Sequence, residues 1–213
     1  MESTPWKLFL VRHGEAEWNQ ANRYQGRSDL PITARGEAQA RALANWFAES
    51  DVATIFTSPL VRARSTARMV AERLGLVAIV DDRLAELAYG QWEGLTQAEV
   101  KRRWPELLRL WKKAPDRVDF PGGECLRDVR RRIRNFLEDA VTHPGPVLAV
   151  THQAIIRIAI LEAQREPLSA YRQVRAETGS IAKLLRQGNR LVLDSLHEVG
   201  HWDSIGANPS PFR

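Results

Sequence analysis

Trp6-Lys7-Leu8-Phe9-Leu10-Val11-Arg12-His13-Gly14 is a short, mostly apolar and aromatic run that stops on an arginine, a histidine and a glycine. Its length and composition are those of a buried strand, and the polar residues after Val11 mark its carboxyl end. The same grammar recurs along the chain. Ala53 to Thr57 reads as a second strand, after which Ser58-Pro59 caps and opens a helix running to about Leu74, where Gly75 ends it. Leu76 to Val80 reads as a third strand. Pro146 to Val150 reads as another, followed by Thr151-His152 and a helix over Ala154 to Ala163. Thr33 is a helix cap, and the helix after it is expected to place Ala38, Ala42, Leu43, Trp46 and Phe47 on one face. Leu126, Val129, Ile133, Phe136, Leu137, Ala140 and Val141 form a helical stripe. Ile181 to Leu185 and Leu191 to Leu196 close the pattern as strands around a Gly188-Asn189 turn.

Strand–helix alternation predicts a layered α/β domain with a largely parallel sheet. No repeat, low-complexity tract or long linker divides residues 1–213, so one domain is expected. Two stretches stand apart. Residues 91–124 carry tryptophans at 92, 104 and 111, several charges and three prolines, and read as an excursion that could cover a site. Gly206 to Arg213 is rich in Gly, Asn and Pro and is expected to fray.

The composition narrows the class. Of 213 residues, 44% are hydrophobic and 27% charged, which is the balance of a folded domain. The single Cys125 rules out an intramolecular disulfide and any cysteine-rich zinc site. The opening Met1-Glu2-Ser3-Thr4-Pro5 has neither the basic nor the apolar region of an export signal, so a cytoplasmic location is expected. No apolar run approaches the ~20 residues of a membrane span; Ala154 to Leu161 is short and holds Arg157. The net charge of +5 permits nucleic-acid binding without arguing for it, and no nucleic-acid or membrane partner is expected. Arginine dominates the basic set, which suits recognition of phosphate or carboxylate.

In open α/β sheets ligands collect at the carboxyl ends of the strands. That rule puts Arg12 and His13, Arg62 one turn into the helix after the second strand, and His152 on one edge of one sheet, with Glu86 in a loop able to reach it. Two guanidiniums and helix N-terminal amides make a pocket for a dianion. Flanking positive charge favours a neutral imidazole, whose free nitrogen is a nucleophile. A protonated Glu86 can give its proton to a leaving alkoxide. Phosphoryl transfer needs mainly positioning and charge neutralisation, which arginines supply without a metal.

At these residues the chain resembles the histidine phosphatase superfamily, which includes cofactor-dependent phosphoglycerate mutase. The matching stretches are Leu10-Val11-Arg12-His13-Gly14-Glu15, Asn19, Gly26, Asp29-Leu30-Pro31-Ile32-Thr33 and Gly36, then Ser58-Pro59-Leu60-Val61-Arg62-Ala63 and Leu84-Ala85-Glu86-Leu87. Gly90-Gln91-Trp92-Glu93-Gly94, Pro121-Gly122-Gly123-Glu124 and Val150-Thr151-His152 complete them in the family's order. The resemblance implies a three-layer fold with helices on both faces of a mostly parallel sheet. It also implies that His13 becomes phosphohistidine, that Arg12, Arg62 and His152 hold the phosphoryl group, and that Glu86 is the acid and then the base for water. The substrate-binding set it implies is Arg12, His13, Asn19, Gln25, Gly26, Arg62, Glu86 and His152, with no metal and no cofactor. Two positions depart from the family's pattern. Gln153 stands where glycine is usual, and its side chain is expected to narrow the pocket or donate a hydrogen bond. Cys125 stands where serine is frequent and reads as a small residue filling that space.

Two other features have plainer readings. Lys101-Arg102-Arg103 and Arg130-Arg131-Arg132 read as solvated helix faces. His197-Glu198-Val199-Gly200-His201 fits the H-E-x-x-H zinc pattern, which needs a helix, yet a β-like run leads into it and Gly200 interrupts it.

Among functions, the resemblance favours a phosphomonoester hydrolase on a small phosphorylated metabolite. The alternatives are a phosphoglycerate mutase and a binding protein of the same fold without turnover. Tyr89-Gly90-Gln91-Trp92-Glu93-Gly94-Leu95 looks like the shorter phosphatase branch, including alpha-ribazole phosphatases, and all five central positions are present. The cover tryptophans suggest a ring-bearing leaving group or simply core. Neither the substrate nor the oligomeric state is read from the sequence.

Overall fold

The computed structural model describes residues 6–205; the 206–213 stretch, expected to fray, lies outside them. The strands are β1 (Lys7–Arg12), β2 (Thr54–Thr57), β3 (Ala78–Val80), β4 (Val147–Thr151), β5 (Ile181–Gln187) and β6 (Arg190–Glu198). They form one sheet in the order β3-β2-β4-β1-β5-β6. β3, β2, β4 and β1 run parallel, with Leu10 opposite Ala149 and Ile55 opposite Leu148. β5 joins β1 antiparallel, and β6 folds back on β5 through the expected turn, with Gln187 opposite Arg190.

Successive strand residues point to opposite faces, and here both faces are apolar. Leu8, Leu10, Val147 and Ala149 enter one core, with α6 (Leu126–Ala140) and α7 (Gln153–Gln164) packed on it. Val11, Ile55, Leu148 and Val150 enter the other, against α2 (Ala34–Trp46) and α3 (Val61–Leu74). Two buried faces demand two helical layers, which is the three-layer arrangement. Local signals end the helices where expected. Thr33 Oγ1 accepts the Gly36 N–H at 3.1 Å at the start of α2. Gly75 takes φ 65° after α3, and the Leu76 N–H closes on the Ala71 carbonyl at 2.9 Å.

Several expectations need correction. Ala42, Leu43 and Phe47, the C-cap of α2, are buried as expected, whereas Trp46 is half exposed and Ala38 only partly buried; Gly36, Gln39, Ala40 and Ala44 are buried as well. The start of α2 packs closely on the loop after β1: a Cβ on Gly14 would lie 2.3 Å from the Gly36 carbonyl oxygen. Ser58-Pro59 does not open α3, whose N-cap is Leu60. The Ser58 N–H instead bonds the Val150 carbonyl at 3.0 Å, so Ser58 stays with the sheet. β3 begins two residues late, at Ala78. The H-E-x-x-H stretch runs from β6 into a 3-10 turn (Gly200–Ile205), so the helix that pattern requires is not formed.

Residues 91–124 hold α4 (Gln97–Arg103) and α5 (Pro105–Lys113) after the short α1 (Glu17–Gln20) of the first loop. Trp92 is fully buried and Trp111 nearly so, and both join the core beneath α6 and α7 with Val118 and Phe120. These tryptophans are first of all core.

Candidate active site

The four parallel strands deliver their following loops to one edge. His13 follows β1, Arg62 is the second residue of α3, and His152 is the N-cap of α7 directly after β4. Glu86 follows the 3-10 turn Asp82–Leu84 beyond β3. The His13 and His152 ring centroids are 5.0 Å apart. His13, Arg12 and Glu86 line a cavity of about 270 Å³ together with Asn19, Gln25 and Gly26. Arg62 and His152 are fully buried and stand behind that lining. All eight residues expected at the site are thus brought to one place, six on its wall and two in the layer beneath.

His13 Nδ1 is 2.6 Å from the Gly14 carbonyl oxygen. A carbonyl only accepts, so Nδ1 carries the proton and Nε2 keeps its lone pair. Burial, then the charges of Arg62 and Arg12, hold the His13 pKa well below its ordinary value. His152 is lowered in the same way by burial and by Arg62. Its Nε2 lies 2.7 Å from Ser58 Oγ, which itself accepts the Leu60 N–H at 3.3 Å. His152 Nδ1 is buried without a partner among the described residues.

Carbonyls hold the guanidiniums. Arg62 Nη1 donates to the Ser28 carbonyl and Nη2 to the Gly26 carbonyl, both at 2.7 Å. Arg12 Nη1 donates to the Ala176 carbonyl at 2.8 Å. Burial lowers both pKa values, that of Arg12 to about 10, so both remain cations at neutral pH. The Nε–H of each is buried and has no partner among the described residues. Glu86 Oε1 accepts the Leu87 N–H at 2.9 Å and the Ala154 N–H at 3.3 Å. Burial nevertheless outweighs these bonds and the arginines, and raises its pKa above the ordinary value.

The two departures have definite places. Gln153 lines the cavity and its Nε2 donates to the Ala176 carbonyl at 3.2 Å, the hydrogen bond that was one of its two expected roles. Cys125 is the N-cap of α6, with Sγ 3.1 Å from Asp128 Oδ2.

Gln97, Trp111 and Lys112 on the wall come from residues 91–124, while sequence reasoning missed Arg23, Tyr24, Tyr89, Arg157, Tyr171 and Arg172. Only Arg157 left a signal, as a lone charge in the apolar stretch of α7. It also misread part of the second basic run. Arg131 is exposed, as are Lys101, Arg102 and Arg103. Arg132 instead bonds the Arg83 and Glu86 carbonyls and pairs with Glu124 at 3.2 Å, beneath the Glu86 loop. Arg130 pairs with Glu162 at 3.1 Å and is likewise not solvated as expected. Interior carbonyls and carboxylates recruit these two, which a helical wheel does not show. Among the described residues, no helix is long and apolar enough to cross a membrane.

Residues 8–199 match the histidine phosphatase superfamily (branch 1). Phosphoserine phosphatase 1 of Hydrogenobacter thermophilus is 34% identical over 197 residues, 92% of this chain and 93% of that protein. A probable phosphoglycerate mutase of Serratia proteamaculans is 33% identical over 210 residues, covering 93% and 95% of the two chains. The solved mycobacterial glucosyl-3-phosphoglycerate phosphatase superposes with a TM-score of 0.84 at 28% identity, covering 91% of this chain and 100% of that one. The alpha-ribazole phosphatase of Shigella flexneri does so with 0.83 at 25% identity, covering 90% and 96%. The chain therefore belongs to the histidine phosphatase superfamily, branch 1, as one of its phosphatase-type enzymes.

Proposed function

We propose that the protein hydrolyses small phosphate monoesters through a phosphohistidine formed at His13. The observation that carries this reading is the 2.6 Å contact of His13 Nδ1 with the Gly14 carbonyl, which leaves Nε2 as a free base beside two guanidiniums. Nε2 attacks phosphorus and the bond to the leaving oxygen breaks, while protonated Glu86 supplies the proton that oxygen needs. Water then attacks the phosphohistidine, gives its proton to the Glu86 carboxylate, and the P–N bond returns its electron pair to Nε2. The Nε–H groups of Arg12 and Arg62 and the Nδ1 of His152 are buried donors that phosphoryl oxygens would satisfy. A Ser58 hydroxyl donating to His152 Nε2 puts the proton on Nδ1, where it serves that purpose. Two fixed guanidiniums neutralise the dianion, so the mechanism runs without a metal. Gln97, Trp111 and Lys112, from residues 91–124, form the outer wall and act as the cover.

The phosphatase names among the relatives support hydrolysis, and the mutase-named Serratia relative supports a second reading, phosphoglycerate mutase. The test is release of phosphate from a panel of monoesters, with and without 2,3-bisphosphoglycerate and with and without a chelator. Release independent of both additions is expected. Isomerisation that requires 2,3-bisphosphoglycerate would establish the mutase instead. Loss of the rate to the chelator, with recovery on adding a metal, would overturn the metal-free mechanism.

A further inference from the structure

The peptide unit between Gly14 and Glu15 is held at both ends. Its carbonyl oxygen is the atom that His13 Nδ1 meets at 2.6 Å, and its N–H donates to Gln39 Oε1 at 2.8 Å. Gln39 is only 1% exposed, sits in the second turn of α2 and does not line the cavity. Its amide can face only one way. Nε2 lies 3.3 Å from the Thr178 carbonyl oxygen and 3.4 Å from Thr178 Oγ1. A carbonyl accepts and never donates, so the amide nitrogen belongs on that side and the amide oxygen faces Glu15.

This peptide unit has reason to be clamped. Gly14 lies so close to α2 that a Cβ would clash with the Gly36 carbonyl, and glycine leaves the bond after its own Cα with little steric resistance to rotation. The neighbouring groups are tied elsewhere. The His13 N–H donates to the Thr151 carbonyl at 3.0 Å, the Gly14 N–H to Thr66 Oγ1 at 3.0 Å, and the Glu15 carbonyl accepts the Thr33 N–H at 2.8 Å. The Glu15 N–H goes to Gln39. With that bond made, the plane of the unit is fixed and its carbonyl is polarised into a better acceptor for Nδ1. Without it, the unit can turn its N–H toward water and carry the carbonyl away from His13. The ring proton is then free to move to Nε2, which removes the lone pair that attacks phosphorus. Thr178, the other anchor of Gln39, precedes Gly179, whose N–H donates to the Arg12 and His13 carbonyls at 3.0 and 3.1 Å. Gln39 therefore joins the loop after β1 to the segment that braces it.

We propose that Gln39 is a positioning residue that fixes the His13 tautomer through the Gly14–Glu15 peptide. This rests on the reading of His13 as the nucleophile and extends its support to a side chain outside the cavity. Phosphorylation at Nε2 leaves the ring positively charged, and the bond from Nδ1–H to the Gly14 carbonyl strengthens as that charge develops. Gln39 should therefore act on the rate of phosphorylation and not on phosphate binding.

Nitrogen NMR of the substrate-free, isotope-labelled protein at neutral pH reads the tautomer directly, with the His13 signals assigned by their loss in His13→Ala. Wild type is expected to carry the proton on Nδ1. Gln39→Leu should shift the tautomer ratio toward Nε2–H by about 3- to 10-fold, the worth of one hydrogen bond, and slow single-turnover phosphorylation by an alkyl phosphate by a similar factor. The Kd for inorganic phosphate should stay unchanged. If Gln39→Leu does not fold, Gln39→Met carries the same comparison. Gln39→Glu keeps the shape, and its buried acid form can donate to Thr178 and accept from Glu15, so it should recover most of both losses. An Nε2–H ring in wild type, a tautomer unmoved by the apolar substitution, or equal losses in the apolar and glutamate variants would overturn the role of Gln39. A tautomer that responds as expected, while no phosphate ester yields a phosphoenzyme at His13, would instead retain the clamp and overturn hydrolysis.

Discussion

At His13 a backbone carbonyl selects the tautomer, and burial with two neighbouring guanidiniums keeps the ring neutral. His13→Ala is expected to abolish turnover while leaving the fold intact, and an acid-labile phosphoenzyme should be trapped with wild type and be absent from the variant. Near-normal activity in His13→Ala would falsify the mechanism. Glu86 makes a different prediction, because its raised pKa keeps it protonated further toward neutrality than a solvated glutamate. The phosphorylation rate on alkyl phosphates should therefore fall as pH rises through that pKa, and Glu86→Gln should flatten this limb. The same variant should lose about 10²–10⁴-fold on an alkyl phosphate and less on p-nitrophenyl phosphate, whose leaving group departs without a proton. Burst kinetics, which isolate the first step, are the measurement. Equal losses on both esters would reassign Glu86 to positioning.

Helices and loops, rather than single residues, set the site's reach. The first turn of α7 supplies His152, Gln153 and the Ala154 N–H that bonds Glu86, and the next turn brings Arg157. α6 contributes from below: Arg132 ties Glu124 to the carbonyls of Arg83 and Glu86, and all of it lies under the loop that carries the acid. Arg132→Met should destabilise the protein by about 2 kcal/mol, since it leaves the largely buried Glu124 with only the half-exposed Arg27 as its cation and frees the Arg83 and Glu86 carbonyls. A urea titration measures this. Because Arg132 does not line the cavity, kcat on alkyl phosphates should fall more than KM rises. A KM effect alone would place Arg132 in binding instead.

Over the whole molecule, function and stability pull on the same histidines. Unfolded, His13 and His152 take up a proton near the ordinary value of 6.5; folded, they do so only well below it. The unfolded state thus binds more protons below 6.5, so stability is full above that pH and is lost as pH falls. Each ring should withdraw on the order of 1 kcal/mol between pH 7.5 and 5.5. The raised pKa of Glu86 acts in the opposite sense, so the comparison with a variant isolates the histidine contribution. Denaturant unfolding of wild type and His13→Gln at the two pH values should show a difference smaller by about 1 kcal/mol in the variant. An unchanged difference would mean that His13 is protonated in the folded protein, and would remove its neutral imidazole as nucleophile.

How much was legible follows from what each signal depends on. Strand periodicity, the Thr33 cap and the Gly75 stop are local, so the chain itself announced the α/β order, the largely parallel sheet and the edge where Arg12, His13, Arg62, Glu86 and His152 meet. The burial of Gly36 at the start of α2 was not legible, because it goes with the close approach of Gly14 and Gly36, which come together only on folding. Ser58 looked like a helix cap because its hydroxyl is local chemistry; the sheet took it for Val150 and His152. Arg132, Arg157 and Arg172 carry no periodic mark, since their partners are backbone carbonyls far along the chain. The sequence by itself thus determined the layers and the residues that meet at the strand-end edge, through short-range propensity and strand-end position. Only the tertiary structure decided which cations face the cavity and which hold it together, because a guanidinium's role depends on the carbonyls and rings that long-range packing brings to it.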